Sequence, residues 1–210
     1  HQPCYLRMVL DQGYWRESGL TPPSDDAIRR DVELTKAYGF NGARKHQKIE
    51  DPRYYYWCDR LGLLVWGELP SGFQFNDREI CNLTRDMAAF IRRDYNHPCL
   101  MAWVPLNESW GVGKILTDRR QQHLALSLYS LCKALDPIRL VSTNDGWEMV
   151  TCDIAGVHDY AQTGEELLAH LSSEQLRRIE SLSPQGKRLF VDGYQAKGSA
   201  ILVTEYGGIA

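Results

Sequence analysis

Apolar positions along this chain follow two alternating rhythms. Short continuous apolar runs are separated by stretches in which apolar residues recur every three or four positions. The first rhythm predicts buried strands and the second predicts amphipathic helices. Tyr5–Leu10 reads as a first strand, followed by a helix that Ser24 caps and Asp25 and Asp26 open, with Ile28, Val32 and Thr35 inward. Gly39 ends that helix, and Phe40–Arg44 reads as the second strand. Asp51-Pro52 opens a helix that Gly62 closes, and Leu63–Glu68 is the third strand. A longer helix is predicted over Asp77–Tyr95, stopped by Pro98, and Cys99–Val104 is the fourth strand. Thr117-Asp118 caps a helix carrying Leu124, Leu128, Leu131 and Leu135, which ends at Asp136-Pro137. Leu140–Thr143 and Ile154–His158 are strands five and six, and Glu165–Leu182 reads as a helix with a break near Ser172-Ser173. Pro184–Ser199 reads as a polar surface loop, and Ala200–Thr204 is the seventh strand.

Strands alternating with helices predict a parallel sheet. Seven such units come close to the eight of a (β/α)₈ barrel, which takes about 250 residues. At 210 residues, the chain is expected to be one barrel domain lacking its last strand and helix. An open dinucleotide-binding sheet would place a glycine-rich turn after the first strand; here Asp11-Gln12-Gly13-Tyr14-Trp15 follows it. A net charge of −3 gives no reason to expect a nucleic acid or an anionic membrane as partner. No apolar run approaches the roughly 18 residues of a membrane span. The first residues show no signal peptide, and the chain reads as starting within a longer protein. None of the six cysteines forms a Cys-x-x-Cys pair, so no structural metal site is expected. Cys99 and Cys132 fall on apolar faces, as free thiols of a reducing, cytoplasmic compartment would.

Polar residues gather where the strands end: Asp11, then Arg44 and His46, Glu68, Asn107 and Glu108, Asn144 and Asp145, His158 and Asp159, and Glu205. In a barrel these tips form one face, the one that carries active sites. Trp15, Trp66, Trp110, Trp147, Tyr160 and Tyr206 lie among them. Dense hydrogen-bonding groups mixed with aromatics suit a sugar, whose hydroxyls need partners and whose ring faces stack. Two glutamates, each at a strand tip, are the layout of a glycosidase that works with a pair of carboxyl groups. Glu108, between Trp103 and Trp110, is expected in an apolar setting that raises its pKa, as a general acid needs. Tyr206 is expected to donate to Glu205 and keep it ionised.

Arg93-Asp94-Tyr95-Asn96-His97-Pro98 leading to Asn107-Glu108-Ser109 resembles the acid/base signature of glycoside hydrolase family 2, the β-galactosidases, β-glucuronidases and β-mannosidases. Thr204-Glu205-Tyr206-Gly207 resembles the nucleophile motif of that family, in the matching order and separation. The resemblance covers essentially the whole chain. It implies a catalytic (β/α)₈ barrel, Glu108 as general acid/base and Glu205 as nucleophile of a retaining exo-β-glycosidase. It also implies that Asn107 binds the sugar 2-hydroxyl and that Arg44 lies near the nucleophile. Family members carry β-sandwich domains upstream, absent from this stretch, through which an oligomer could form. The turn Leu10-Asp11-Gln12-Gly13 and the order Arg44-Lys45-His46 depart from the family pattern and leave the sugar open.

The remaining candidates for contact with a β-glycoside are Asp11, His46, Trp147, His158, Tyr160 and Tyr206. His46 can equally cap a loop, and His97 reads as a structural loop histidine. Glu68 is expected to pair with Arg44, because an unpaired buried charge is costly. The chemistry requires no cofactor and no metal. The rivals are a sugar-binding barrel without catalysis, which should lack one of the two carboxylates, and a barrel glycosidase of a related clan.

Overall fold

The computed structural model describes residues 3–207 except 177, 180, 181 and 197. The elements are β1 (Met8–Asp11), α1 (Asp25–Ala37), β2 (Gly42–Lys45), α2 (Pro52–Leu61), β3 (Leu64–Glu68), α3 (Asp77–Asp94), β4 (Leu100–Val104) and β5 (Leu106–Asn107). They continue with α4 (Arg119–Leu135), β6 (Leu140–Val141), β7 (Asn144–Asp145), β8 (Ile154–Asp159), α5 (Gly164–His170), α6 (Ser173–Leu176) and β9 (Ala200–Tyr206). The helices begin where their caps dictate. Ser24, Asp51, Asn76 and Asp118 each accept a hydrogen bond from a first-turn backbone N–H. Gly62 ends α2 at φ 72°, a left-handed conformation that costs glycine little.

All strand pairs are parallel. The order β1-β2-β3-β4-β6 forms one sheet, β5 pairs with β7, and β8 pairs with β9. β5 prolongs β4 beyond Pro105, which has no N–H for the ladder, and β7 prolongs β6 beyond Ser142 and Thr143. Just ahead of β8, Asp153 donates its N–H to Val141 O at 2.8 Å, which seats β8 beside β6. The result is a partial (β/α)₈ barrel with seven successive strand positions among the described residues. A cavity of about 580 Å³ opens beside β1 and β9, walled by Met8, Trp66, Leu202 and Tyr206 among others.

Side-chain alternation divides the interior in two. Trp66, Ala102, Val104 and Ile154 fill the lumen, with Met8 and Leu202 against them. Ala43, Val65, Trp103 and Val141 point the other way, into the layer shared with Ile28, Tyr55, Met87, Phe90 and Leu128 of the helices. A third cluster joins Met149, Val157, Leu189 and Phe190. It corrects the expectation of a polar surface loop over 184–199. Leu189, Phe190 and Val191 are buried, and Met149 exchanges backbone hydrogen bonds with Leu189 and Val191. Three apolar residues in a row were too short a signal against the glycines and polar residues around them. The helix expected over 165–182 breaks close to the expected place, at Leu171-Ser172 between α5 and α6, and its residues 177, 180 and 181 lie outside the described set.

Candidate active site

The functional face is built on β2, β3, β5, β7, β8 and β9. Arg44 is its centre, 3% exposed, and its guanidinium contacts five side chains, of which His46 Nδ1 is the farthest at 3.4 Å. Nε meets Glu68 Oε2 at 2.7 Å, Nη1 meets Asp145 Oδ2 at 2.7 Å and Glu205 Oε1 at 2.9 Å, and Nη2 donates to Asn107 Oδ1 at 2.7 Å. Burial works against the Arg44 charge, but Asp145, Glu68 and Glu205 outweigh it and hold its pKa above the ordinary value. The expected Arg44–Glu68 pair is present. Asn107, with Oδ1 committed to Arg44, presents Nδ2 as a donor for which the described residues offer no partner.

Glu108 follows β5 on unusual backbone. Glu108 and Ser109 both adopt left-handed conformations, at φ 50° and 59°. Such residues cost roughly 1–3 kcal/mol each and persist only where their surroundings enforce them. The enforcement here is explicit. Glu108 N donates to Asp145 O (2.9 Å), Ser109 N to Asn144 Oδ1 (2.9 Å), and Ser109 Oγ to Glu148 Oε2 (2.6 Å). The turn swings the Glu108 carboxyl towards β8, where His158 Nδ1 lies 2.7 Å and Tyr160 Oη 2.8 Å from Oε1.

Glu205 reaches the same place by a β-bulge. Val157 pairs with Val203 and His158 with Glu205, so Thr204 is an extra residue without a partner in register. Leu202 faces the lumen, and strict alternation would send Glu205 outwards; the bulge turns it in. Its Oε2 accepts from Tyr160 Oη at 2.6 Å, and His158 Nε2 stands 3.4 Å from Oε1. One oxygen of Glu108, one oxygen of Glu205 and one nitrogen of His158 all lie within 4.8 Å of each other. Tyr160 has a single proton and cannot donate to both carboxylates at once. Glu205 is the nearer acceptor, which leaves His158 as the donor to Glu108.

His158 is fully buried. Burial alone would lower its pKa; the hydrogen bonds it donates to Asp145 and Glu108, with the charges of Asp145 and Glu205, overcome this and raise it to about 9. Asp145 shifts the opposite way. Its burial is overcome by Arg44 and then by His158, so its pKa falls well below the ordinary carboxylate range. Glu108 does not have the raised pKa expected from the sequence. Burial pushes it up, but the hydrogen bond from His158 above all, with the Tyr160 hydroxyl beside it, more than offsets that and lowers it. The reason is geometric: Trp103 points into the helix layer and bonds Asp136 through Nε1 at 3.0 Å, so it is no wall for Glu108.

The other expected residues divide. His46 enters the cluster, with Nδ1 3.0 Å from Glu68 Oε1. Trp147 stands edge-on to His158 with ring centroids 5.5 Å apart. Asp11 does not enter. It shares its side of β1 with Val9, towards the helices, where Oδ2 pairs with Lys45 Nζ at 2.5 Å, and Lys45 in turn reaches Glu50 at 2.8 Å. Tyr206 is 63% exposed, and the phenol on Glu205 belongs to Tyr160. Neighbouring strand residues point to opposite faces, so Tyr206 cannot share the aim of Glu205. His97 is structural, as expected: Nδ1 lies 2.6 Å from Asp59 Oδ2. Asp145, which links Arg44 to His158, is a site residue that the sequence does not distinguish from other strand-tip residues. Its signal was the Asn-Asp pair directly after an apolar run, a pattern shared with ordinary turns.

Parallel strands wound with helices, carrying two carboxylates from separate strand tips around a buried arginine, define the class of carboxylate-bearing (β/α)₈ barrels. Within that class, residues 22–207 match the description "Glycosyl hydrolases family 2, TIM barrel domain", and the chain belongs to that family. Among its relatives is a beta-galactosidase of Vibrio cholerae, 32% identical over 154 residues, which span 69% of this chain and 14% of that protein. A beta-galactosidase of Pectobacterium atrosepticum is 31% identical over 156 residues, again 69% of this chain and 14% of the relative. The chain thus spans only a small part of the curated relatives it matches. Among solved structures, an FMN-binding beta-glucuronidase from Facaelibacterium prausnitzii superposes with a TM-score of 0.75 at 21% identity, over 98% of this chain and 31% of that one. A GH2 beta-galacturonidase from Eisenbergiella tayi bound to galacturonate gives 0.74 at 22% identity, over 95% and 35%. At these identities the superpositions speak for the fold. Among the described residues no helix is long and apolar enough to cross a membrane.

Proposed function

We propose that this chain carries the catalytic centre of a retaining exo-β-glycosidase, with Glu205 as nucleophile and Glu108 as acid and base. The observation that carries the reading is the placement of both carboxyls on one phenol, Tyr160 Oη, at 2.8 and 2.6 Å. Nearest oxygens within 4.8 Å suit the roughly 5–5.5 Å of retaining enzymes and are too close for the 6.5–9.5 Å of inverting ones. Glu205 attacks the anomeric carbon as the bond to the leaving oxygen breaks and Glu108 hands that oxygen a proton. Glu108 then takes a proton from water, which displaces the sugar from Glu205.

The proton for the first step is held by the Glu108–His158 pair, which shares one proton at neutral pH. Substrate strips water from Glu108, makes its charge costlier and draws that proton onto it. Four carboxylates (Glu68, Glu108, Asp145 and Glu205) face one guanidinium and one imidazolium. The resulting excess of negative charge favours an oxocarbenium-like transition state. Asn107 Nδ2 is the donor for the sugar 2-hydroxyl. Relatives bear the names "Beta-galactosidase" and "Putative beta-glucuronidase", so terminal galactosyl or uronosyl β-glycosides are the first substrates to try.

The test uses the full-length protein and aryl β-galactosides, β-glucuronides, β-mannosides and β-glucosides. Once an accepted sugar is found, Glu205→Ala should lose turnover on every leaving group, and azide should restore it as the α-azide. Glu108→Gln should spare activated aryl leaving groups in the first step, accumulate sugar on Glu205, and yield the β-azide. Equal loss on all leaving groups with no azide response in either variant would overturn the roles.

A further inference from the structure

A second cavity, of about 650 Å³, has Glu108 in its wall. That volume falls within the roughly 300–1,000 Å³ of small-molecule sites. Its apolar walls are two aromatics from different loops: Phe73, which follows β3, and Trp110, which follows β5. They are 85% and 49% exposed, with ring centroids 5.8 Å apart and planes at 78°. Two large aromatics left in water beside a reacting carboxyl mark a binding surface rather than a packing defect. The loops that carry them are locked together. Gly111 has φ 76°, and a Cβ there would come within 3.0 Å of Gly72 O. Trp110 N donates to Asn107 O at 2.9 Å, so the ring is tied to the same turn that aims Glu108. The remaining walls include Gln74, Lys114 and Asp118.

This inference rests on the glycosidase reading. If Glu108 protonates the glycosidic oxygen, the group beyond it is the leaving group. We propose that the cavity is the leaving-group subsite and that it takes a pyranosyl ring, so that the substrate is a β-linked disaccharide or longer glycan. A flat apolar aglycone would be best held by a slot with two parallel apolar faces. Two rings nearly at right angles instead offer one stacking face and one edge. The polar groups on the other walls have no use for an aryl ring, but they match the equatorial hydroxyls of a sugar.

The experiment takes the full-length enzyme and the sugar it accepts, presented as three leaving groups: fluoride, phenol, and a pyranose in β-1,3, β-1,4 and β-1,6 linkage. For the best disaccharide, the ratio of its kcat/KM to that of the fluoride should fall about tenfold or more in Trp110→Ala. It should fall severalfold in Phe73→Ala and stay within about threefold of wild type in Trp110→Phe. The phenyl-to-fluoride ratio should move less in every variant. A fluoride has no ring to stack, so the ratio cancels any general loss of fold or of catalytic power. As a second measurement, capture of the glycosyl-enzyme by added glucose, relative to water, should drop in Trp110→Ala. Disaccharide and phenyl ratios that fall alike, ratios that do not move, or an enzyme that cleaves no disaccharide better than the phenyl glycoside would each overturn the pyranosyl subsite. Failure to turn over any glycosyl fluoride would instead overturn the glycosidase reading.

Discussion

The buried imidazole of His158 ties stability to pH, and the sign follows from its partners. Its pKa is about 9 in the folded chain, against about 6.5 for an unperturbed histidine. A raised pKa means that the folded state holds the proton more tightly than the unfolded state. The stabilisation is complete below about pH 6.5 and is lost as pH rises through about 9. At about 1.4 kcal/mol per pH unit, the interval between those values is worth ~3 kcal/mol. His158→Gln removes the titration while keeping an amide near Asp145 and Glu108. Urea unfolding of both proteins, followed by far-UV circular dichroism at half-unit steps from pH 6 to 9.5, gives the gap between them. Groups common to both cancel in the subtraction. The wild-type advantage should shrink by ~3 kcal/mol across that range, with the steepest change between pH 7 and 9. A gap that stays flat, or widens with pH, would refute the assignment of a proton to His158 between Asp145 and Glu108.

Three further outcomes are expected. Tyr160→Phe removes one hydroxyl and no ring; loss of a hydrogen bond to a charged group, about 1.5–3 kcal/mol, should lower kcat roughly tenfold to a hundredfold, with the melting temperature little changed in a thermal scan. Asn144→Ala removes the acceptor for Ser109 N and the donor to Ser109 Oγ and Trp147 O; it should cost roughly 1–3 kcal/mol in urea unfolding and lower kcat/KM through a misaimed Glu108. Lys45→Met takes the cation from Asp11 and leaves Glu50 with Lys48 alone on the helix side of β2, and should destabilise by about 3–5 kcal/mol; kcat per folded molecule, from active-site titration, should stay near wild type.

The strand and helix order was legible because each element carries its own period and its own caps: Ser24, Asp51-Pro52 and Gly62 mark helix ends that the structure reproduces. The two glutamates and Arg44 were legible as tip residues of apolar runs. What could not be read was parity. Asp11 and Arg44 both end short strands, yet one faces the helices and the other the lumen, and a one-residue difference decides which. Glu205 defeats the parity rule in the other direction, because the bulge at Thr204 has no sequence mark of its own. The environment of Glu108 was misjudged for a related reason. Trp103 and Trp110 are its neighbours in sequence, whereas the groups that set its charge arrive from the end of β8, some fifty positions along the chain.

Strand β2 is four residues long, and two of them, Arg44 and Lys45, are buried cations that anchor separate ion networks on opposite faces. A slip of one position would hand the lumen a lysine and the helix layer an arginine, spoiling chemistry and scaffold together. A shift of register in this strand therefore cannot be compensated on one face alone. The loops bearing Phe73 and Trp110 carry no such double duty. Divergence among relatives should therefore collect where the departing group is held, while the strand that holds the reacting centre stays as it is.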